Sequence, residues 1–262
     1  MLEKLIENKV AIITGSGSGI GKAIALSYAN LKAKVVIADI NEESGKETSK
    51  EIIHHGGEAL FVKTDVSSVE SVKALVETAV KKYKKIDILV NNAGLEYYTT
   101  IEDTTEEQWD QTMAIDLKGV FMGIKYVLPY MKKQGSGSII NIASIAGISA
   151  WPGLGVYSAA KGGVVLLTKA AAAENGKYGI RVNCICPGSI KTPLLEEQFF
   201  APQSDREAAE AQLLKHYPIN RLGEASEIAD AAIYLGSDLS SFVTGHSLSV
   251  DGGLSSFVGD LI

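Results

Sequence analysis

Val10-Ala11-Ile12-Ile13-Thr14-Gly15-Ser16-Gly17-Ser18-Gly19-Ile20-Gly21 is the stretch whose reading decides the fold. From Lys9 to Thr14 it is a short, apolar, β-branched run, the pattern of a strand buried on both faces. Four glycines then stand within Gly15–Gly21, ahead of an apolar-periodic helix through about Asn30. Glycine tolerates positive φ and close backbone approach, so strand and helix can be joined by a very tight turn. The first N–H groups of the helix are left without intrahelical partners and suit a pyrophosphate. A plain strand-to-helix loop would also accept these glycines. Their place between the first strand and the first helix is what favours nucleotide binding.

Outward from this turn the same alternation repeats. Strand patterns cover Lys34–Ala38, Ala59–Lys63, Ile86–Val90, Ser138–Ile142, Ile180–Ile185 and Ser247–Val250. Between them lie helical patterns at Asn41–His55, Ser68–Tyr83, Thr105–Lys133, Tyr157–Lys177 and Glu224–Leu235, with an irregular, partly helical stretch from Pro187 to about His216. Asn41 and Ser68 are residues suited to cap the helices they open. Short apolar strands separated by helices predict an α/β fold, a doubly wound parallel sheet with helices on both faces. Even spacing to the end, with no linker, repeat or low-complexity segment, predicts one domain over 1–262, with a variable substrate lid at about 190–218.

Composition narrows the function. The chain has 262 residues, 46% of them hydrophobic and 21% charged, enough to bury a sizeable core. Its formal net charge is −6 and its basic residues are scattered, which argues against nucleic acid or an anionic membrane as partner. Cys184 and Cys186 are two apart in an apolar run, so a strand points both to one face, where they read as small buried residues rather than a redox or metal pair. His54, His55, His216 and His246 lack ligand spacing with carboxylates or cysteines, so no metal is expected. Met1–Lys9 lacks the apolar stretch of a signal peptide, and a cytoplasmic location is the default expectation.

In a doubly wound sheet, ligands bind beyond the carboxyl ends of the strands. Asp39 follows the second strand, eighteen residues after Gly21. A carboxylate there can accept both hydroxyls of an adenosine ribose and would repel a 2′-phosphate, which selects NAD over NADP. No arginine or lysine stands in the glycine turn or directly after Asp39 to receive such a phosphate. An ordinary surface aspartate in a turn is the competing reading. Asp65-Val66 after the third strand and Asn91-Asn92-Ala93-Gly94 after the fourth are candidates for the adenine and the cofactor ribose. Tyr157 and Lys161, four apart, share one helical face. A phenol titrates near pH 10, and a nearby ammonium favours its ionised form, which would make Tyr157 usable as an acid/base. Ser144, just after the fifth strand, can donate to the same substrate oxygen.

From Lys9 to Gly253 the chain resembles the classical short-chain dehydrogenase/reductase (SDR) family. The residues carrying the resemblance are Thr14 to Gly21, Asp65, Asn91 to Gly94, Ser144, Tyr157 with Lys161, Pro187-Gly188, Thr192 and Asp251-Gly252-Gly253. It implies a single Rossmann-type domain, a nicotinamide cofactor and the interconversion of a secondary alcohol and a ketone. In it Ser144 orients the substrate oxygen, Tyr157 gives or takes its proton, and Lys161 binds the nicotinamide ribose and lowers the tyrosine pKa. The cofactor set it implies is Gly15, Ser18, Gly19, Ile20, Gly21, Asp39, Ile40, Asp65, Val66, Asn91, Asn92, Gly94, Tyr157, Lys161, Pro187, Gly188, Ile190 and Thr192, with Ile190 and Thr192 at the nicotinamide amide. The family habit also implies a homotetramer, built on the helices at 105–133 and 157–175.

One position departs from the family. Asp116, in Ala114-Ile115-Asp116-Leu117-Lys118-Gly119, stands where relatives carry an asparagine that helps hold a proton-relay water. The relay is expected to survive with a shifted pH profile; the competing reading is that Asp116 takes no part. Substrate preference is expected from Leu95, Glu96 and Tyr97, from Ala150-Trp151, and from Leu194 to His216, with Ser144, Tyr157, Glu96 and Trp151 touching a neutral, partly apolar ketone. The alternatives are a 3-oxoacyl-(acyl-carrier-protein) reductase of the same family, which would use NADPH and a basic docking patch, and a non-catalytic dinucleotide-binding protein.

Overall fold

Ile12 and Ile13 are both fully buried, yet they face opposite ways, and this two-sided burial organises the molecule. The computed structural model describes residues 5–256. Its elements are β1 (Val10–Thr14), α1 (Gly19–Asn30), β2 (Lys34–Asp39), α2 (Glu42–His54), β3 (Glu58–Lys63), α3 (Val69–Tyr83), β4 (Ile88–Asn91), α4 (Glu106–Thr112), α5 (Gly119–Gln134), β5 (Gly137–Ile142), α6 (Gly155–Asn175), β6 (Ile180–Pro187), α7 (Pro193–Leu195), α8 (Arg206–Leu214), α9 (Ala225–Gly236) and β7 (Ser247–Val250). The strands form one seven-stranded sheet in the order β3-β2-β1-β4-β5-β6-β7, and every pairing is parallel. This is the single-domain Rossmann-type arrangement that the alternating pattern predicts.

Successive strand residues alternate between two cores, as the period of two requires. Ile12, Val36, Leu89, Ile139, Val182 and Cys184 pack under α3, α5 and α6. Ala11, Ile13, Val35, Ile37, Val90, Ile140 and Ile185 pack under α1, α2 and α9. Cys184 and Cys186 are free, buried and on the same side, as their spacing predicts. Asn41 caps α2 by accepting from the N–H groups of Glu43 (3.1 Å) and Ser44 (3.2 Å), and Ser68 caps α3 by accepting from Ser71 (3.3 Å). Among the described residues, no helix is long and apolar enough to cross a membrane.

Chain order reverses between β1 and β4, whose crossovers run to opposite edges of the sheet. A crevice opens at such a switch point, outside the carboxyl ends of the strands. The long helical region expected at 105–133 is helical throughout but not uniform. A π-helical turn, Met113–Lys118, separates α4 from α5. Such a turn advances the chain by an extra residue and redirects the side chains on it. Here it carries Asp116 into the interior, where that residue is 0% exposed.

Candidate active site

The cleft at the switch point encloses about 670 Å³, within the range of ligand-binding cavities. At one end stands the glycine turn. Gly15 and Gly19 have φ of +62° and +53°, which an L side chain adopts only with strain. A Cβ on Gly15 would also lie 2.8 Å from the Ala93 backbone. The Ser18 side chain makes no capping hydrogen bond to α1, so the first N–H groups of that helix stay available. Thr14 Oγ1 ties the turn to the loop after β4 by accepting from the N–H groups of Asn92 (2.9 Å) and Ala93 (3.1 Å).

Asp39 closes the same end of the cleft. Its Oδ2 accepts from the Gly17 N–H at 2.7 Å and its Oδ1 from the Asn41 N–H at 2.9 Å, so the carboxylate is held in place. Asp65 is steadied in a similar way, its Oδ1 accepting from the Ser67 N–H and hydroxyl. An open helix terminus, glycines where a side chain would be strained and a carboxylate held in place together fit a nicotinamide dinucleotide.

At the other end, Ser144 caps the turn Ile145–Gly147 after β5, and Tyr157 and Lys161 descend one above the other from the first turns of α6. Lys161 is 3% exposed; its Nζ donates to the Ile142 carbonyl at 3.1 Å and lies 3.1 Å from Asp116 Oδ2. That ionic contact is not aligned as a hydrogen bond to Oδ2, whereas Asp116 Oδ1 accepts from the Leu95 N–H at 2.9 Å. Gly94 makes room for the pair, since a Cβ there would lie 2.9 Å from Asp116 Oδ2 and 3.3 Å from Lys161 Nζ.

The expectation that Lys161 makes Tyr157 acidic meets a different electrostatic balance. The Lys161 ammonium lies 5.4 Å from the Tyr157 ring centroid. The phenol is pushed well above its ordinary value, first by burial, then by the Glu96 and Asp116 carboxylates; the Ser144 hydroxyl pulls the other way. Burial also raises the Asp116 carboxyl, and the Lys161 ammonium and Leu95 N–H oppose that rise. The physical reason is direct: burial withholds the water that would stabilise a phenolate, and two nearby carboxylates add to that cost.

Most residues singled out in the sequence converge on the cleft wall. Ser144, Tyr157, Lys161, Asp116, Glu96 and Trp151 are there, as are Gly15, Ser18, Gly19, Ile20, Asp39 and Ile40. So are Asp65, Val66, Asn92, Gly94, Pro187, Gly188, Ile190 and Thr192. Gly21 and Asn91 are not. Gly21 packs against the Gly15 carbonyl, and Asn91 turns into the sheet interior, where its Nδ2 donates to Asn141 Oδ1 at 2.8 Å. Tyr97 turns away as well, its hydroxyl donating to Gln111 Oε1 at 2.7 Å. His216 sits edge-on against Trp151, ring centroids 5.9 Å apart. Among the described residues no cluster of His, Cys, Asp or Glu could hold a metal.

The sequence reading missed Tyr98, Leu154 and Leu254, which line the same end of the cleft, whereas Tyr217 there falls within the lid expected at about 190–218. Tyr98 meets Phe199 with ring centroids 5.3 Å apart, and the Tyr217 hydroxyl accepts from the Ser189 N–H at 2.6 Å. Only the position of Tyr98, two residues beyond Glu96, could have pointed to it.

The comparisons agree with this geometry. Residues 15–255 match a family model described as enoyl-(acyl carrier protein) reductase. A 3-oxoacyl-(acyl-carrier-protein) reductase of Thermotoga maritima is 41% identical, over 95% of this chain and 98% of its own. A cyclohexanol dehydrogenase of Acinetobacter sp. is 40% identical over 98% of both. The crystal structure of a levodione reductase superposes with a TM-score of 0.93 at 36% identity, covering 96% of this chain and 99% of that one. By its fold, its matched length and these relatives, the chain belongs to the classical short-chain dehydrogenase/reductase family of oxidoreductases.

Proposed function

We propose that this protein is an NAD(H)-dependent oxidoreductase that interconverts a secondary alcohol and a ketone, with Tyr157 as the acid/base. The observation that carries the reading is the meeting of Ser144, Tyr157 and Lys161 at the end of the cleft opposite a fixed Asp39. Gly15, Ser18, Gly19 and Ile20 would hold the pyrophosphate, Asp39 and Ile40 the adenosine ribose, Asp65 and Val66 the adenine, and Asn92, Gly94, Lys161, Pro187, Gly188, Ile190 and Thr192 the nicotinamide half. When bound, the cofactor supplies or accepts the hydride. The protein's part is positional and protonic. Ser144 donates to the substrate oxygen, and Tyr157 delivers a proton to that oxygen in reduction or removes it in oxidation. Lys161, held by Asp116 and the Ile142 carbonyl, sets its side-chain nitrogen beside the Tyr157 ring. Trp151, Leu154 and Phe199 give the substrate end an apolar lining. Among the described residues Lys161 is the one basic residue on the wall, beside Asp39, Asp65, Glu96, Asp116 and Glu197, so a neutral substrate fits better than an anionic one. We further propose a homotetramer, for which Phe121 on α5 and Leu166 on α6 remain exposed apolar contacts.

A panel of cyclic and open-chain ketones and alcohols, followed by NADH absorbance, tests the reading. Turnover of neutral ketones is expected, and no turnover in either direction would overturn it. The similarity to a 3-oxoacyl reductase favours a second reading. It is distinguished by turnover of an acyl-carrier-protein thioester with NADPH, which the fixed Asp39 opposes.

The Asp116–Lys161 pair yields a pH prediction. Asp116 raises the phenol of Tyr157, and its charge also engages Lys161. Asp116→Asn keeps an acceptor for the Leu95 N–H but removes that charge. Both effects favour the phenolate, so the pH at which alcohol oxidation rises should move to lower values. The pH profile of kcat/KM for alcohol oxidation measures this; an unmoved or alkaline-shifted profile would refute it.

A further inference from the structure

Glu96 is a carboxyl group at the substrate end that the proton transfer itself does not require. It enters the cleft just beyond Gly94 and shares its wall with Tyr98, Leu154, Phe199, Leu213 and Tyr217. Burial is the largest influence on it and pushes the carboxyl up to about 7. The Tyr98 hydroxyl and the Lys161 ammonium pull it down, and the Asp116 carboxylate adds to the rise. The titratable groups facing it are therefore Tyr98 from its own loop, Tyr157 and Lys161 from α6, and Asp116 from the π-helical turn.

A carboxyl so placed is costly against a hydrocarbon ligand, which offers it no hydrogen bond. After burial, Glu96 is also the largest influence raising the Tyr157 phenol, so a carboxylate there whose charge only Tyr98 and Lys161 offset hinders the proton transfer. A substrate bearing a second oxygen removes both problems. As an acid, Glu96 can donate to a carbonyl or hydroxyl oxygen; as a carboxylate, it can accept from a hydroxyl. Glu96 lines the same cleft as Ser144 and Tyr157, which places that second oxygen near the reacting carbon.

We propose that Glu96 is a specificity-determining residue that hydrogen-bonds a second oxygen near the reacting carbon, so that hydroxyketones, diketones and the corresponding diols are preferred over monofunctional ketones and alcohols. The proposal rests on the oxidoreductase reading above and names the substrate class of that same site.

The test uses cyclohexanone and 2-hydroxycyclohexanone, which share a ring and differ in one oxygen. The wild-type protein should favour the hydroxyketone in kcat/KM by about 10- to 100-fold, the range of a hydrogen bond to a charged group. Glu96→Leu should collapse that ratio toward one. Glu96→Gln keeps a donor and an acceptor, so it should retain most of the preference and abolish its change across pH 6–8. Melting temperatures of both variants establish that they fold. Equal losses on the two ketones in Glu96→Leu, or an unchanged ratio, would overturn this inference and leave the oxidoreductase reading standing. Failure of the wild-type protein to turn over either ketone with NADH or NADPH would overturn both.

Discussion

Tyr157→Phe should lower kcat for ketone reduction by about 100- to 10,000-fold, the usual worth of a positioned acid/base. The substitution is close to minimal. The ring keeps its packing and its contact with the Lys161 ammonium, while the proton and the interaction with the Ser144 hydroxyl are lost. NADH affinity, followed by fluorescence titration, should change little, and so should the melting temperature. The loss must therefore appear in kcat. Residual turnover at the wild-type rate would show that the proton comes from elsewhere. The phenol's raised pKa gives the prediction a second edge. A proton-bearing phenol suits reduction across neutral pH, whereas oxidation needs the phenolate and should rise with pH. A protein that oxidised alcohols best at low pH would contradict Tyr157 as the base.

Asp39 carries the second large effect. Its carboxylate cannot swing away from an incoming 2′-phosphate without losing the hydrogen bonds from Gly17 and Asn41. Lys63, in register with Asp39 across the neighbouring strand, is already 3.4 Å from Glu42, which also binds Lys46. Like charges brought together in a site cost several kcal/mol, and each 1.4 kcal/mol is a factor of ten. The wild-type protein should thus prefer NADH over NADPH by about 100-fold or more in kcat/KM. Asp39→Ser should erase most of that preference, chiefly by improving NADPH. Equal use of both cofactors by the wild-type protein, or an unaltered ratio in the variant, would refute the assignment.

What was legible in the chain is what depends on near neighbours. Strand runs such as Val10–Thr14 and Ser247–Val250, the caps Asn41 and Ser68, and the glycine turn all express local rules of periodicity and backbone freedom. So does the stacking of Tyr157 over Lys161, since a spacing of four is one helical turn. Even Asp39 needed only its place at the end of a strand.

The rest required the assembled chain. Asn91 stands in the same motif as Asn92, yet one faces the sheet interior and the other the cleft, because the strand alternates faces there. The π-helical turn that buries Asp116 leaves no mark in hydrophobic periodicity, and its ion pair with Lys161 joins residues far apart in sequence. The charge state of Glu96 and the raised phenol of Tyr157 are set by desolvation from loops and helices drawn from across the chain. The sequence by itself thus determined the sheet, the nucleotide turn and the identity of the acid/base candidates, because neighbouring residues suffice to specify them. Tertiary structure decided which charges face one another and how dry their surroundings are, because electrostatic energy depends on distance and solvent through space, whatever the order of residues along the chain.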